Sequence, residues 1–137
     1  MGRKGQISIE YMAVFAIAAL MTFPLILIFS VQSNNVRTDI TLSQAEKVAT
    51  EIINSAKEVY FMGPPAQKTI TIEFPEGVKE VTVSSNYILF VLDTNTGTHE
   101  LYKESTFELQ GSIENFRGPH VLIIKAENNR VSIEEKR

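Results

Sequence analysis

Glu10 sits two residues ahead of an apolar run, Met12–Phe29, in which no side chain is charged and Thr22 alone is polar. A carboxylate there needs a reason. A charge at the centre of a membrane-spanning helix costs about 2.5–3.5 kcal/mol, and less near the interface. Two chemistries fit: Glu10 reaches lipid headgroups, or it pairs with a cation supplied from elsewhere. The basic residues Arg3 and Lys4 precede it, followed by Gly5-Gln6-Ile7-Ser8-Ile9.

Elsewhere the chemistry is sparse. There are no cysteines, which rules out a disulfide framework and a thiolate metal site. His99 and His120 lie far apart in strand-like surroundings without metal-ligand spacing, and are read as surface or turn residues. Aspartate occurs only at Asp39 and Asp93. No Gly-rich phosphate loop or nucleophile elbow appears. Asp93-Thr94-Asn95-Thr96-Gly97 alternates oxygen ligands as a weak calcium loop would, but lacks a distal bidentate Glu and equally suits a plain turn. The net charge of -3 gives no nucleic-acid-binding surface. The chain is therefore read as a non-enzyme with no cofactor and no metal.

As a helix, Met12–Phe29 spans about 27 Å, close to a bilayer's hydrocarbon core of about 30 Å. Arg3 and Lys4 keep its N-terminal end cytoplasmic, so the remainder is exported. An ordinary secretory signal would need a small-x-small cleavage site after the run, and Ser30-Val31-Gln32-Ser33-Asn34 is a poor one. A plain signal anchor also fits the run itself.

The segment between the basic residues and the run resembles the class III signal sequence of archaeal type IV pilins. In that family Q-x-S-x-E-Y follows a basic-Gly junction and precedes the apolar helix. Gln6, Ser8, Glu10 and Tyr11 match in register, and Arg3, Lys4 and Gly5 match the basic stretch and junction. The resemblance covers about residues 1–30. It implies that a prepilin peptidase cuts between Gly5 and Gln6, removes residues 1–5, and leaves the apolar helix on the mature protein. Loss of Arg3 and Lys4 weakens the cytoplasmic anchor. The new α-amino group of Gln6 lies one helical turn from Glu10 and is expected to pair with Glu10 of a neighbouring subunit. Such a pair fixes register more than it stabilises. Helices leaving lipid gain little hydrophobic free energy, so small residues such as Ala13, Ala16, Ala18 and Ala19 must let them approach. Pro24 should kink the helix, because the carbonyl of Leu20 loses its partner.

Beyond the run, Leu42, Ala45, Ala49, Ile52, Ala56 and Val59 recur at helical spacing, widened by Val48, Ile53 and Tyr60. Gly63-Pro64-Pro65 ends the pattern. One helix over 6–62 is expected, with 6–31 as membrane anchor and filament core and 36–62 amphipathic. Ser33-Asn34-Asn35 is its weakest point, where a bend or a split into two helices is possible. From Lys68 the pattern turns to strands: Thr69–Phe74, Val78–Val83, Tyr87–Leu92 as a central strand buried on both faces, Glu100–Lys103, Thr106–Leu109, and a hairpin of Val121–Lys125 with Val131–Ile133 across Asn128-Asn129. Six or seven strands suggest a small sheet wrapping the helix or a compact sandwich, forming a β-rich extracellular head over 66–137.

The fold class expected is α+β: a long N-terminal helix, transmembrane then amphipathic, carrying a small antiparallel β-rich head in the manner of type IV pilins. The function expected is a structural subunit that polymerises with itself into an extracellular adhesion pilus. Its expected partners are the prepilin peptidase, an assembly ATPase, a membrane platform protein, and the archaeal cell membrane before assembly. The rivals are a minor pilin or a membrane-anchored extracytoplasmic binding module. Archaellum subunits share the signal logic but are usually longer. No Asn-x-Ser/Thr glycosylation acceptor is present.

Overall fold

The structure is a computed structural model that describes the backbone of residues 3–136 and the side chains of residues 8–136. One helix, α1 (Arg3–Met62), is followed by seven strands: β1 (Gln67–Phe74), β2 (Val78–Ser84), β3 (Tyr87–Thr94), β4 (Gly97–Glu104), β5 (Glu108–Gly111), β6 (Gly118–Glu127) and β7 (Arg130–Lys136). The chain divides into two compact units, Met1–Val36 and Arg37–Arg137.

In the first unit α1 carries apolar side chains on every side, and none of its most apolar window is buried. Its helical assignment begins at Arg3 and passes through Gly5, Pro24 and 33–35 without a break. The helix of the uncut chain thus extends three residues ahead of Gln6. Arg, Lys and Gln are good helix formers, and one Gly lowers helix preference by only about 1 kcal/mol.

In the second unit α1 buries one stripe. Ala45, Ala49, Ile52 and Ala56 are fully buried and Leu42 partly so, as the spacing predicts. Alanine at the first, second and fourth of these places no side chain beyond Cβ in the core that the helix shares with the strands. Gly63, in the left-handed region at φ 71°, ends the helix by donating its N–H to the carbonyls of Val59 and Tyr60. Tyr60 stacks on Phe107 with ring centroids 4.9 Å apart.

The strands form two sheets, ordered β1-β6-β7-β5 and β2-β3-β4. All pairs are antiparallel except β5 with β7, which run parallel. Period-two alternation turns Ile70, Ile72 and Phe74 of β1, Leu122, Ile124 and Ala126 of β6, and Val131 and Ile133 of β7 into one core with the helix. β3 is central in its sheet but is buried on one face only. Ile88, Phe90 and Leu92 are fully buried, whereas Leu89 and Val91 are half-buried. The expectation of burial on both faces fails because, among the described residues of this unit, no second layer covers the outer side. The strand expected at Thr106–Leu109 starts later, at Glu108. The preceding residues form a turn in which Ser105 Oγ bonds the Phe107 carbonyl at 2.8 Å, and Phe107 itself enters the core. The β6–β7 hairpin pairs Glu127 with Arg130 across Asn128-Asn129, as expected, with Asn129 at φ 68°.

Candidate functional site

The candidate site is the N-terminal third of α1. Glu10 and Tyr11 lie on this helix, and the Tyr11 side chain is 77% exposed. Ser8 is exposed as well. Gln6 and Glu10 occupy positions i and i+4 of one helix, so their side chains leave the backbone on one face. The side chains of Arg3, Lys4 and Gln6 lie outside the described residues, as do Met1 and Gly2 entirely. The Gly5–Gln6 bond lies within helical backbone.

From Met12 to Phe29 the large apolar side chains are bare. Phe15 and Phe29 are each 76% exposed and Leu20 is 75% exposed. Leaving that much apolar surface in water is unfavourable at about 25 cal/mol per Å². The segment is therefore compatible with insertion into a membrane, where its length and composition suffice for one crossing. The hydroxyl within it, and the one just beyond its end, are satisfied internally. Thr22 Oγ1 donates to the Ala18 carbonyl at 2.7 Å and Ser30 Oγ to the Ile26 carbonyl at 2.9 Å, both one turn back. Such bonds let a hydroxyl sit in lipid at little cost. Pro24 has no N–H, so the Leu20 carbonyl has no i+4 donor.

The Asp93–Gly97 segment is the β3–β4 hairpin, and its oxygens are engaged within the chain. Asp93 forms an ion pair with Lys79 at 2.9 Å. Thr96 Oγ1 donates to Thr38 Oγ1 at 3.2 Å and lies 3.1 Å from His99 Nε2. The hydrogen bond from Lys79, then its charge, holds the Asp93 carboxyl below its ordinary value. Among the described residues no group of three or more His, Asp or Glu side chains could hold a metal ion.

His120 corrects the sequence reading. It is neither a surface nor a turn residue but fully buried in β6, with Nδ1 2.6 Å from Glu135 Oε1 and Nε2 2.8 Å from the Phe116 carbonyl. The signal was present in the alternation. His120 shares parity with Leu122 and Ile124, and Glu135 shares it with Val131 and Ile133, so both belong on the core face. At this position parity prevails over the usual preference of a polar side chain for the surface.

No protein family, no curated protein and no solved structure matches the chain.

Proposed function

We propose that this chain is an archaeal type IV pilin-like subunit. It is inserted in the cell membrane as a precursor, trimmed between Gly5 and Gln6, and polymerised into an extracellular adhesion filament. One observation carries the reading: an apolar helix with exposed large side chains bears Glu10 at its edge, inside a Q-x-S-x-E-Y segment set directly after Arg3-Lys4-Gly5. The exposed surface needs lipid before assembly and other copies of the same helix after it. Helix-to-helix contact in place of lipid depends on packing and polar pairing. Ala13, Ala16, Ala18 and Ala19 supply the close approach, and Glu10 with the Gln6 amine of a neighbour supplies the pair. Removal of Arg3 and Lys4 loosens the cytoplasmic anchor, and Pro24 bends the helix for packing in a curved bundle. Extraction requires an assembly ATPase and a membrane platform protein.

The test is Glu10→Ala in the native host. The variant is expected to reach the membrane and be trimmed, yet to leave cells without filaments containing this chain, while wild type makes them. Wild-type cells whose filaments lack the chain, with all of it retained in the membrane, would overturn the reading in favour of an anchored binding module.

A further inference from the structure

The two sheets answer charge differently on their outer faces. On the four-stranded sheet, Lys125 pairs with Glu134 and Arg130 with Glu127. On the three-stranded sheet, strand register lays out a small grid whose middle column is Tyr87, Leu89 and Val91. Glu104 stands beside Tyr87, Tyr102 beside Leu89, and Glu80 and Glu100 on either side of Val91. Asp93, at the end of the column, is paired with Lys79. Glu80, Glu100 and Glu104 have no ion-pair partner among the described residues. The face is thus apolar along its middle and acidic at its sides, and the cation beside it is already taken.

The head leaves a second patch of opposite character. Phe61 and Met62, at the end of α1, are exposed, as are Tyr87 and Tyr102. Apart from Phe116, which stacks on His120, these four are the large apolar side chains that the described residues leave exposed beyond Ile40. Lys57, one turn before Phe61, is exposed and also lacks an ion-pair partner among the described residues. Asn54, Lys57 and Phe61 leave α1 on the side away from its buried stripe.

The patches match in spacing. Lys57 and Phe61 are about 6 Å apart along the helix, and Val91 and Leu89 about 7 Å apart along β3. A lysine laid over Val91 rests its methylene stem on the apolar column and brings its ammonium between Glu80 and Glu100. Phe61 then meets Leu89 and Tyr102. The patches also match in direction. Thr96 bonds Thr38, so the β3–β4 hairpin sits beside the start of the head's part of α1. At the other end, Asn86 bonds Ser105 through the backbone, and Phe107 stacks on Tyr60 where α1 finishes. The steps from Val91 to Leu89 and from Lys57 to Phe61 therefore point to the same pole. Copies standing side by side in one orientation satisfy both patches.

We propose that the acidic outer face of the three-stranded sheet takes the Asn54–Lys57–Phe61 surface of a second copy. Two different patches meet, so the contact is heterologous and builds an open row unless it closes in a ring. It rests on the filament reading and gives the heads of neighbouring subunits their contact.

The chain has no cysteine, so engineered thiols report the contact without background. The register places Asn54 near Thr98, which stands opposite Asp93. Full-length Asn54→Cys/Thr98→Cys is made in the native host, and sheared filaments are treated with a short bismaleimide. A ladder of dimers, trimers and longer species is expected, and none from either single-cysteine chain. Asn54→Cys/Ser84→Cys should stay monomeric, since Ser84, opposite Tyr87, lies about 20 Å along the sheet from Thr98. Adding Lys57→Glu should weaken the ladder about fivefold, and further adding Glu80→Lys and Glu100→Lys should restore it. Filaments that contain the chain but give no ladder, or give it from the Ser84 pair, overturn the contact and leave the filament reading standing. A ladder unchanged by Lys57→Glu also overturns it. If the chain stays out of filaments, the same pair is treated in the membrane fraction. A ladder there supports the contact and sinks the filament reading alone; no ladder there overturns both.

Discussion

The two halves of α1 use similar side chains and meet opposite fates. Residues 12–29 are apolar on every side, and their large side chains are exposed. Residues 42–60 place Ala, Ile and Val on one stripe and Glu, Lys and Asn elsewhere, and that stripe is buried beneath the strands. Hydrophobicity alone does not tell a helix where its partner is; the distribution around the axis does. A stripe can be satisfied by one layer of its own chain. A helix apolar all round needs surroundings that enclose it.

Substitutions that separate the two halves sharpen this contrast. The largest effect is expected from Ile52→Ala. It empties a fully buried site and should cost the head about 4 kcal/mol, toward the upper end of such truncations. Thermal unfolding reads that loss, while membrane fractionation should be unchanged. Leu20→Arg is the reciprocal case. A charge near the middle of the run should penalise insertion by about 2.5–3.5 kcal/mol and move the chain out of the membrane fraction, leaving the head's Tm alone. If either change disturbs both readouts equally, the two halves are not separate devices.

Gly111→Ala tests the head by another route. Gly111 has φ 145°, and a Cβ there would overlap the Ile133 carbonyl of β7, so a loss of about 2–3 kcal/mol is expected with insertion intact. The smallest effect belongs to Asp93→Asn, since an exposed ion pair contributes little. Because the Asp93 carboxyl is held below its ordinary value by Lys79, its contribution is present at neutral pH and is lost as pH falls through the lowered value. Wild type and variant should therefore converge in acid and differ slightly at pH 7.

Much of this was legible in the sequence. Charge-free length marked Met12–Phe29, helical spacing marked the Leu42–Val59 stripe, and Gly63 marked the end of α1 to the residue. Alternation found the strands because sheet faces are set by parity. Illegible were features decided by neighbours distant in sequence. The parallel pairing of β5 with β7 depends on a chain path that local pattern does not encode. β3 reads as doubly buried because its composition is apolar, yet what covers its outer face is not written in the strand itself. At His120 parity was readable, but burial of an imidazole is tolerable only with Glu135 and the Phe116 carbonyl in place, and neither adjoins it in the strand pattern. The residues of the candidate site stand in linear order beside the apolar run, so naming them needs no tertiary information.

The central claim is that the first half of α1 passes from membrane to filament after a cut on its cytoplasmic side. N-terminal sequencing of this chain, recovered from filaments sheared off cells, tests it most directly. The account predicts Gln6 as the first residue with Glu10 and the whole apolar run retained. A first residue of Met1, or one beyond Ser30, would contradict it.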